Sequence, residues 1–234
     1  MLPDFKTLDA AIVDLDGTMV DTIGDFHAAL NLMLADLSLP AVGKEPIGLM
    51  VGKGSEHLIR SVLVHVGADA AHYDAAWDRY QRHYIGINGQ HSDVYAGVAD
   101  GLAALRRKGL RLACLTNKPT AFARPLLQAK GLDGYFEVVF GGDAFERKKP
   151  DPLPLRKTCE ALGTSPARTL MIGDSSTTRR PRAPPVAPWC WSPTATTTAN
   201  PCAPWTRTGS WIRWPNSAEP DQLAALPSKA SFSL

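Results

Sequence analysis

Two aspartates separated by one residue end the first apolar stretch of the chain, which reads Ala10-Ala-Ile-Val-Asp14-Leu-Asp16-Gly17-Thr18. Because side chains alternate along a strand, carboxylates at positions i and i+2 point to the same side, and Gly17 permits a tight turn behind them. Such a pair can divide the work of a nucleophile and of a general acid and base. A turn with two solvated carboxylates has the same motif, so the pair alone leaves both interpretations open.

Polar groups also follow three later apolar stretches. They are Thr116-Asn117-Lys118 after residues 110–116, Lys148-Lys149-Pro150 after residues 137–141, and Asp174-Ser175 after residues 168–173. The carboxyl ends of parallel strands meet at one edge of a sheet, where open α/β sheets bind their ligands. The sequence therefore predicts that these groups share one site with Asp14 and Asp16.

The elements that position these groups alternate between strand and helix. Helical patterns cover residues 98–108, 120–130 and 152–162, and each is followed by a glycine, the residue favoured just past a helix end (Gly109, Gly131 and Gly163). Strands that are apolar almost throughout are typical of a parallel sheet covered on both faces. We therefore predict an α/β fold with a parallel sheet.

A helical segment interrupts this alternation between the first and second strands of the sheet. Residues 25–37, 55–66 and 70–84 have helical patterns, and residues 22–88 contain no convincing strand. Typical connections have about 2 to 6 residues, so a segment this long favours a lid over the carboxyl ends of the strands. An oversized crossover without a role in the site is the alternative.

Composition and charge argue against several classes of protein. The 25 basic and 23 acidic side chains give a formal net charge of +2, and no apolar run reaches the roughly 18 residues that a membrane span needs. Partners are therefore expected to include neither nucleic acid nor membrane. The first residues lack the pattern of a signal peptide, and the four cysteines have no metal-binding spacing. We expect free thiols in a reducing cytoplasm; the sequence gives no sign of oligomeric state.

The composition changes abruptly near residue 176. Residues 175–218 contain no Asp, Glu, Leu or Lys, yet they hold five of the six Trp and eight of the 19 Pro. Trp has the single codon TGG, so reading Trp189-Cys190-Trp191-Ser192 from the third base of the preceding codon gives (Val/Leu/Met)-Val-Leu-Val, a typical buried strand. We interpret residues 177–234 as an aberrant tail, either poorly ordered or produced by a frameshift. Neither a linker nor a repeated PxxP ligand matches this composition.

The four motifs DxDGT, TN, KPxP and GDS, in this order and at strand ends, resemble the haloacid dehalogenase superfamily of phosphotransferases. The resemblance covers residues 10–176 and implies a Rossmann-like core formed by residues 1–20 and 90–176. The position of the helical segment is similar to that of a C1-type cap over residues 21–89. Within the superfamily, Val51-Gly-Lys53-Gly54 and Leu58-Ile-Arg60 look most like bacterial phosphoglycolate phosphatases, although those relatives usually have another residue at position 53.

This resemblance implies that the protein hydrolyses small phosphate monoesters through an aspartyl-phosphate intermediate. The first candidate substrate is 2-phosphoglycolate. Asp14 would be the nucleophile, and Asp16 would protonate the leaving alkoxide and then activate water. A dianionic ester beside two carboxylates needs a cation, and Mg²⁺ suits the oxygen ligands implied here. Its ligands would be the Asp14 carboxylate, the Asp16 carbonyl and Asp174.

The remaining site residues implied by the family bind the substrate or its phosphoryl group. Thr116 and Asn117 would hydrogen-bond the phosphoryl oxygens, and Lys149 would neutralise charge in the transition state. Lys53 and Arg60, in the expected cap, are further candidates for substrate binding. Arg60 suits a carboxylate because its guanidinium can bind in a bidentate manner, but a surface role fits it equally.

Several other functions fit the same residues. A sugar phosphomutase of the same superfamily would use the same aspartyl-phosphate. A dehalogenase fits less well, because without a leaving alcohol it would not need Asp16. The family motif runs GDSxxD, and this chain has Thr178 at the place of the second acid. The family's fifth strand is also missing from the sequence after Asp174, which predicts an exposed sheet edge. A catalytically impaired product of a frame error, acting at most as a binding protein, is therefore a further alternative to the active enzyme.

Overall fold

A five-stranded parallel sheet forms the centre of the computed structural model, which describes residues 7–173 and the backbone of residues 210–212. The strands in chain order are β1 (Ala10–Val13), β2 (Val20–Asp21), β3 (Asp93–Val94), β4 (Arg111–Leu115), β5 (Val138–Phe140), β6 (Thr169–Ile172) and β7 (Ser210–Ile212). The order across the sheet is β5-β4-β1-β6-β7, with Ala10 opposite both Arg111 and Thr169. Two short strands, β2 and β3, form a separate antiparallel ribbon.

Helices cover both faces of this sheet. They are α1 (Ile23–Asp36), α2 (Lys44–Met50), α3 (Ser55–His65), α4 (Tyr73–Ile87), α5 (Val98–Arg107), α6 (Thr120–Ala129) and α7 (Pro152–Ala161). Alternate residues of β1 point to opposite faces: Ala11 and Val13 pack in a cluster with residues of α5 and α6, whereas Ala10 and Ile12 pack with residues of α7. The predicted α/β fold with a covered parallel sheet is confirmed.

The predicted ends of the three core helices are also confirmed. Gly109, Gly131 and Gly163 follow α5, α6 and α7 and have φ angles of +78°, +66° and +59°. Residues with a Cβ atom rarely adopt this left-handed backbone conformation, which explains the glycine at each of these positions.

Residues 23–87, hereafter the helical insert, contain α1 to α4 and have an apolar core of their own. Phe26, Leu30, Ile47, Ile59 and Tyr80 belong to this cluster and are almost completely buried. The β2–β3 ribbon carries the chain out of the sheet and back. Along the described residues no helix is long and apolar enough to cross a membrane.

The expectation of a missing fifth strand and an exposed sheet edge was wrong. Ser210–Ile212 pairs in parallel with β6, placing Leu170 opposite Ser210 and Ile172 opposite Ile212. Strand pairing uses backbone N–H and C=O groups, so a short extended stretch without proline suffices to cover this edge, whatever its side chains. The aberrant composition therefore does not predict the absence of pairing here.

Candidate active site

Asp14 and Asp16 lie immediately beyond the carboxyl end of β1, the middle strand of the sheet. The N–H of Asp14 continues the ladder to the carbonyl of Ile172 at 2.9 Å, which holds its backbone in register. Oδ1 of Asp14 accepts the N–H of Leu15 at 2.8 Å. Gly17 then turns the chain with a φ of +74°, and its N–H donates to the carbonyl of Val20 at 2.9 Å.

Lys149 holds the second oxygen of Asp14. Its ammonium lies 2.7 Å from Asp14 Oδ2 and donates to the carbonyl of Leu115 at 2.8 Å. The residue is only 8% exposed, so water screens this ion pair less than it would screen a surface pair. A cation fixed beside the proposed nucleophile can also offset charge that accumulates on a phosphoryl group.

Asn117 positions the backbone of Lys149. Its Oδ1 accepts the N–H of Lys149 at 3.0 Å, and its Nδ2 donates to the carbonyl of Lys149 at 2.9 Å. The same Nδ2 donates to the carbonyl of Gly52 in the helical insert at 2.9 Å. Gly142 leaves room for this arrangement, since a Cβ atom there would lie 2.3 Å from the carbonyl oxygen of Asn117.

Thr116 directly follows β4 and is 2% exposed. Its N–H donates to the carbonyl of Phe140 at 3.1 Å, and its Oγ1 accepts the N–H of Lys118 at 3.1 Å. The hydroxyl keeps its own O–H available as a donor, because an oxygen that accepts one hydrogen bond can still donate another. This side chain lines the pocket described below, together with Asn117.

Lys118 is a site residue to which sequence reasoning gave no role. It is 4% exposed, and its ammonium lies 3.2 Å from Asp16 Oδ1 and donates to the Tyr84 hydroxyl at 2.5 Å. The rings of Phe26 and Tyr84 are each centred 4.7 Å from this ammonium, a distance typical of cation–π contacts. Burial, followed by the nearby Tyr80 and Asp16, raises the pKa of Tyr84 well above its usual range, so this residue accepts the hydrogen bond as a neutral phenol.

A pocket separates the edge of the sheet from the helical insert. The core side contributes Asp14, Asp16, Thr116, Asn117 and Lys118, and the insert contributes Phe26, Val51, Gly52, Gly54, Ser55 and Leu58. The charged groups thus come from the strand ends, while the insert supplies apolar side chains, backbone and one serine, Ser55. An arrangement of this kind can bind a small anion at the strand ends and exclude water above it.

Two of the predicted substrate-binding residues do not line this pocket. Lys53 is exposed, although its neighbours Gly52 and Gly54 are lining residues. The guanidinium of Arg60 lies 3.6 Å from the centre of the Tyr73 ring, and its Nε is 3.4 Å from Glu56. Both remain predictions as binding residues; the contacts of Arg60 belong to the surface of the insert.

Oxygen donors suited to a divalent cation are present at the floor of the pocket. The Asp14 carboxylate and the Asp16 carbonyl are hard ligands of the kind that Mg²⁺ prefers. The third predicted ligand, Asp174, lies outside the described residues, one position beyond Gly173. Within the described part of the chain, no group of three or more His, Cys, Asp or Glu residues is placed to hold a metal ion.

Known proteins are similar to this chain in sequence. A family model described as haloacid dehalogenase-like hydrolase matches residues 8–177. A protein from Cupriavidus necator named "Phosphoglycolate phosphatase, plasmid" is 46% identical over 169 residues, which are 71% of this chain and 73% of that protein. A phosphoglycolate phosphatase from Thiobacillus denitrificans is 41% identical over 171 residues, with 72% and 75% of the two chains covered.

Solved structures are similar as well. The crystal structure of a predicted phosphoglycolate phosphatase from Haemophilus somnus has a TM-score of 0.69 and 28% identity, and the match covers 72% of this chain and 77% of that one. A putative phosphoglycolate phosphatase from Lactobacillus delbrueckii has a TM-score of 0.64 and 25% identity, with 71% and 78% covered.

Proposed function

The chain belongs to the haloacid dehalogenase-like hydrolases and is a phosphoric monoester hydrolase, and we propose that it converts 2-phosphoglycolate to glycolate and phosphate. The observation that carries the proposal is the position of Asp14 and Asp16 at the floor of a small pocket, each beside a buried lysine. Relatives named phosphoglycolate phosphatase support the choice of substrate.

The proposed reaction has two displacements at phosphorus. In the first, the Asp14 carboxylate attacks the phosphorus, the ester P–O bond breaks, and Asp16 gives its proton to the leaving alkoxide. The product is glycolate, with the phosphoryl group on Asp14. In the second, Asp16 removes a proton from water, which attacks the phosphorus and breaks the bond to Asp14. Phosphate leaves, and both aspartates return to their starting states.

Lys149, Thr116 and Asn117 are the proposed partners of the phosphoryl oxygens. Lys149 already lies at Asp14 Oδ2 and is fixed by Asn117, so little reorganisation is needed when negative charge moves toward the nucleophile. The Thr116 hydroxyl and the N–H of Asn117 are the donors assigned to the transferred group. Preorganised donors of this kind stabilise the transition state more than flexible donors do, because they need no reordering during the reaction.

Mg²⁺ is the proposed cofactor, and the Asp14 carboxylate, the Asp16 carbonyl and Asp174 would hold it. When bound, it would reduce the repulsion between a dianionic ester and the two carboxylates. The oxygen donors of Asp14 and Asp16 match this hard ion.

We also propose separate roles for the two parts of the fold. Residues 21–89 act as a C1-type cap that closes on a core of residues 1–20 and 90–176, and the contact between Asn117 and Gly52 belongs to the closed arrangement. The chain works in the reducing cytoplasm, in keeping with the free and buried thiols of Cys114 and Cys159.

Turnover of a panel of phosphorylated metabolites with Mg²⁺ tests the function. We expect 2-phosphoglycolate to be the preferred substrate and Asp14→Asn to abolish phosphate release, because an amide cannot serve as the nucleophile. Asp100→Asn, at an exposed position of α5, is the matched control for loss of one carboxylate and should keep full activity. Unchanged activity in Asp14→Asn, or transfer of phosphate to a hexose in place of water, would contradict the proposal.

A further inference from the structure

Lys118 lines the space that a substrate would fill. Among the described residues that line the pocket, it alone has a positively charged side chain. The helical insert contributes no charged side chain to that lining. A substrate with a second anionic group beside its phosphate would therefore find its counter-charge on the core side of the pocket.

The surroundings of Lys118 suit the binding of an anion. An ammonium has three N–H donors, and within the described part of the chain this one donates to Asp16 and Tyr84. One donor remains for a bound ligand. The rings of Phe26 and Tyr84 keep water from the ammonium, which strengthens its attraction to any anion that reaches it.

The distance from Lys118 to Asp16 sets which anion fits. In the proposed reaction Asp16 is within hydrogen-bond distance of the leaving oxygen, and Lys118 Nζ lies 3.2 Å from Asp16 Oδ1. In a 2-phosphoglycolate molecule the carboxylate carbon is only two bonds from that oxygen. A carboxylate on the carbon next to the phosphorylated oxygen would thus lie close to Lys118, whereas one at the end of a longer chain would not.

We propose that Lys118 binds the carboxylate of the substrate and so selects phosphate esters of 2-hydroxy acids. The inference rests on the proposed function and extends it from one substrate to the group that recognises it. Tyr84, which holds the ammonium from the helical insert, is the positioning residue. Recognition of the carboxylate is thereby coupled to the contact between the insert and the core.

Two non-hydrolysable phosphonates test this assignment without any need for turnover. 3-Phosphonopropionate has the length and the carboxylate of 2-phosphoglycolate, and propylphosphonate has a methyl group in place of the carboxylate. Calorimetric titration of the full chain with each compound, in the presence of Mg²⁺, gives a preference ratio. A hydrogen bond between charged groups contributes enough to make this preference about 10- to 100-fold.

We expect Lys118→Met to reduce the preference ratio to near 1, mainly by weakening the binding of 3-phosphonopropionate. Lys118→Gln is a second variant, which keeps a polar side chain without the charge, and it should also lose most of the preference. Lys157→Met removes an exposed lysine that pairs with Glu160 on α7, and it should leave the ratio unchanged. Circular dichroism of each variant verifies the fold.

Arg60→Met is the competing variant, since its guanidinium is the other candidate for a carboxylate. Loss of the preference in Arg60→Met, with the preference retained in the Lys118 variants, would overturn the assignment while leaving the proposed substrate intact. A wild-type chain without any preference for 3-phosphonopropionate would instead overturn the proposed substrate together with this inference.

Discussion

Asp14 and Asp16 each lie against a lysine, but different parts of the molecule hold the two lysines. Lys149 is fixed by core groups, the carbonyl of Leu115 and the side chain of Asn117. Lys118 is fixed partly by the helical insert, through the hydroxyl of Tyr84. A movement of the insert would therefore change the surroundings of Lys118 directly, whereas it would reach Lys149 only through the bond from Asn117 to the carbonyl of Gly52. This difference agrees with the proposed roles, in which Lys149 binds the phosphoryl group and Lys118 binds the carboxylate of the substrate.

Replacement of Lys149 tests its proposed role toward the phosphoryl group. We expect Lys149→Met to lower kcat by about 10²- to 10³-fold, the range found when one preorganised donor to transition-state charge is lost. Lys148→Met removes an exposed lysine at the neighbouring position and should change kcat by less than about threefold. Steady-state kinetics of both variants measure this difference. Equal effects at the two positions would show that Lys149 has no special role beside Asp14.

The site residues that the sequence predicted share one property, since they follow an apolar strand in the chain. That pattern was enough to place Asp14, Asp16, Thr116 and Lys149 together, and the structure brings them to the same edge of the sheet. Lys118 also follows a strand, yet its importance arises from Phe26 and Tyr84, which are distant in sequence. Periodicity does not reveal which insert residues pack over a given strand end.

The link between the helical insert and the core depends on the start of α1. Asp25 is fully buried, and its carboxylate accepts the N–H groups of Gly89 and His91 at 2.8 and 2.7 Å. These two residues belong to the segment that leads back from α4 to the core. The outgoing and returning chains are thereby held together by charge-assisted hydrogen bonds in a buried setting, where such bonds are strong.

Gly24 is the position at which this link tolerates no side chain. A Cβ atom there would lie 2.0 Å from the carbonyl oxygen of His91, and backbone cannot move aside as the end of a side chain can. We expect Gly24→Ala to lower the free energy of unfolding by about 2 kcal/mol or more. Urea denaturation followed by circular dichroism measures this change.

Gly86→Ala is the matched control, because Gly86 is also helical but has nothing within 4 Å of an added Cβ atom. Alanine has the higher helix propensity, so this variant should gain about 0.5 to 1 kcal/mol. A loss of stability at position 86 similar to that at position 24 would indicate that the contact with His91 is not the cause.

The strands and helices that the sequence predicted have a continuous apolar run or a clear helical pattern, and a glycine follows each of the core helices. Strands β4, β5 and β6 and helices α5 to α7 end within one residue of their predicted ranges, whereas β1 ends at Val13, two residues earlier than predicted. Helix α2 was not predicted, because Pro46 and Gly48 interrupt its seven residues and both disfavour a helix interior. The two-residue strands β2 and β3 are too short for a period-two pattern to appear.

At the scale of the whole molecule, the similarity to the family and the ordinary composition end at the same place. The family match stops at residue 177, and the stretch without Asp, Glu, Leu or Lys begins at residue 175. The motif GDSxxD is complete except for its last acid, where the chain has Thr178. We propose that the coding frame shifted near residue 176, so that the tail of residues 177–234 is a missense translation of an ordinary α/β carboxyl terminus.

Repair of the reading frame after Ser175 tests this proposal on the complete enzyme. The shifted frame permits Asp in place of Thr177-Thr178, and loss of an acid that supports a metal ligand typically costs about 10- to 100-fold in metal affinity or activity. We therefore expect the repaired chain to gain about that factor in kcat/KM for 2-phosphoglycolate and to reach half-maximal activity at lower Mg²⁺. Thr178→Asp in the present frame separates the acid from the rest of the terminus and should recover only part of the gain. Equal Mg²⁺ titrations for the original and repaired chains, together with a resequenced gene that encodes the Trp-rich tail, would rule out the frameshift.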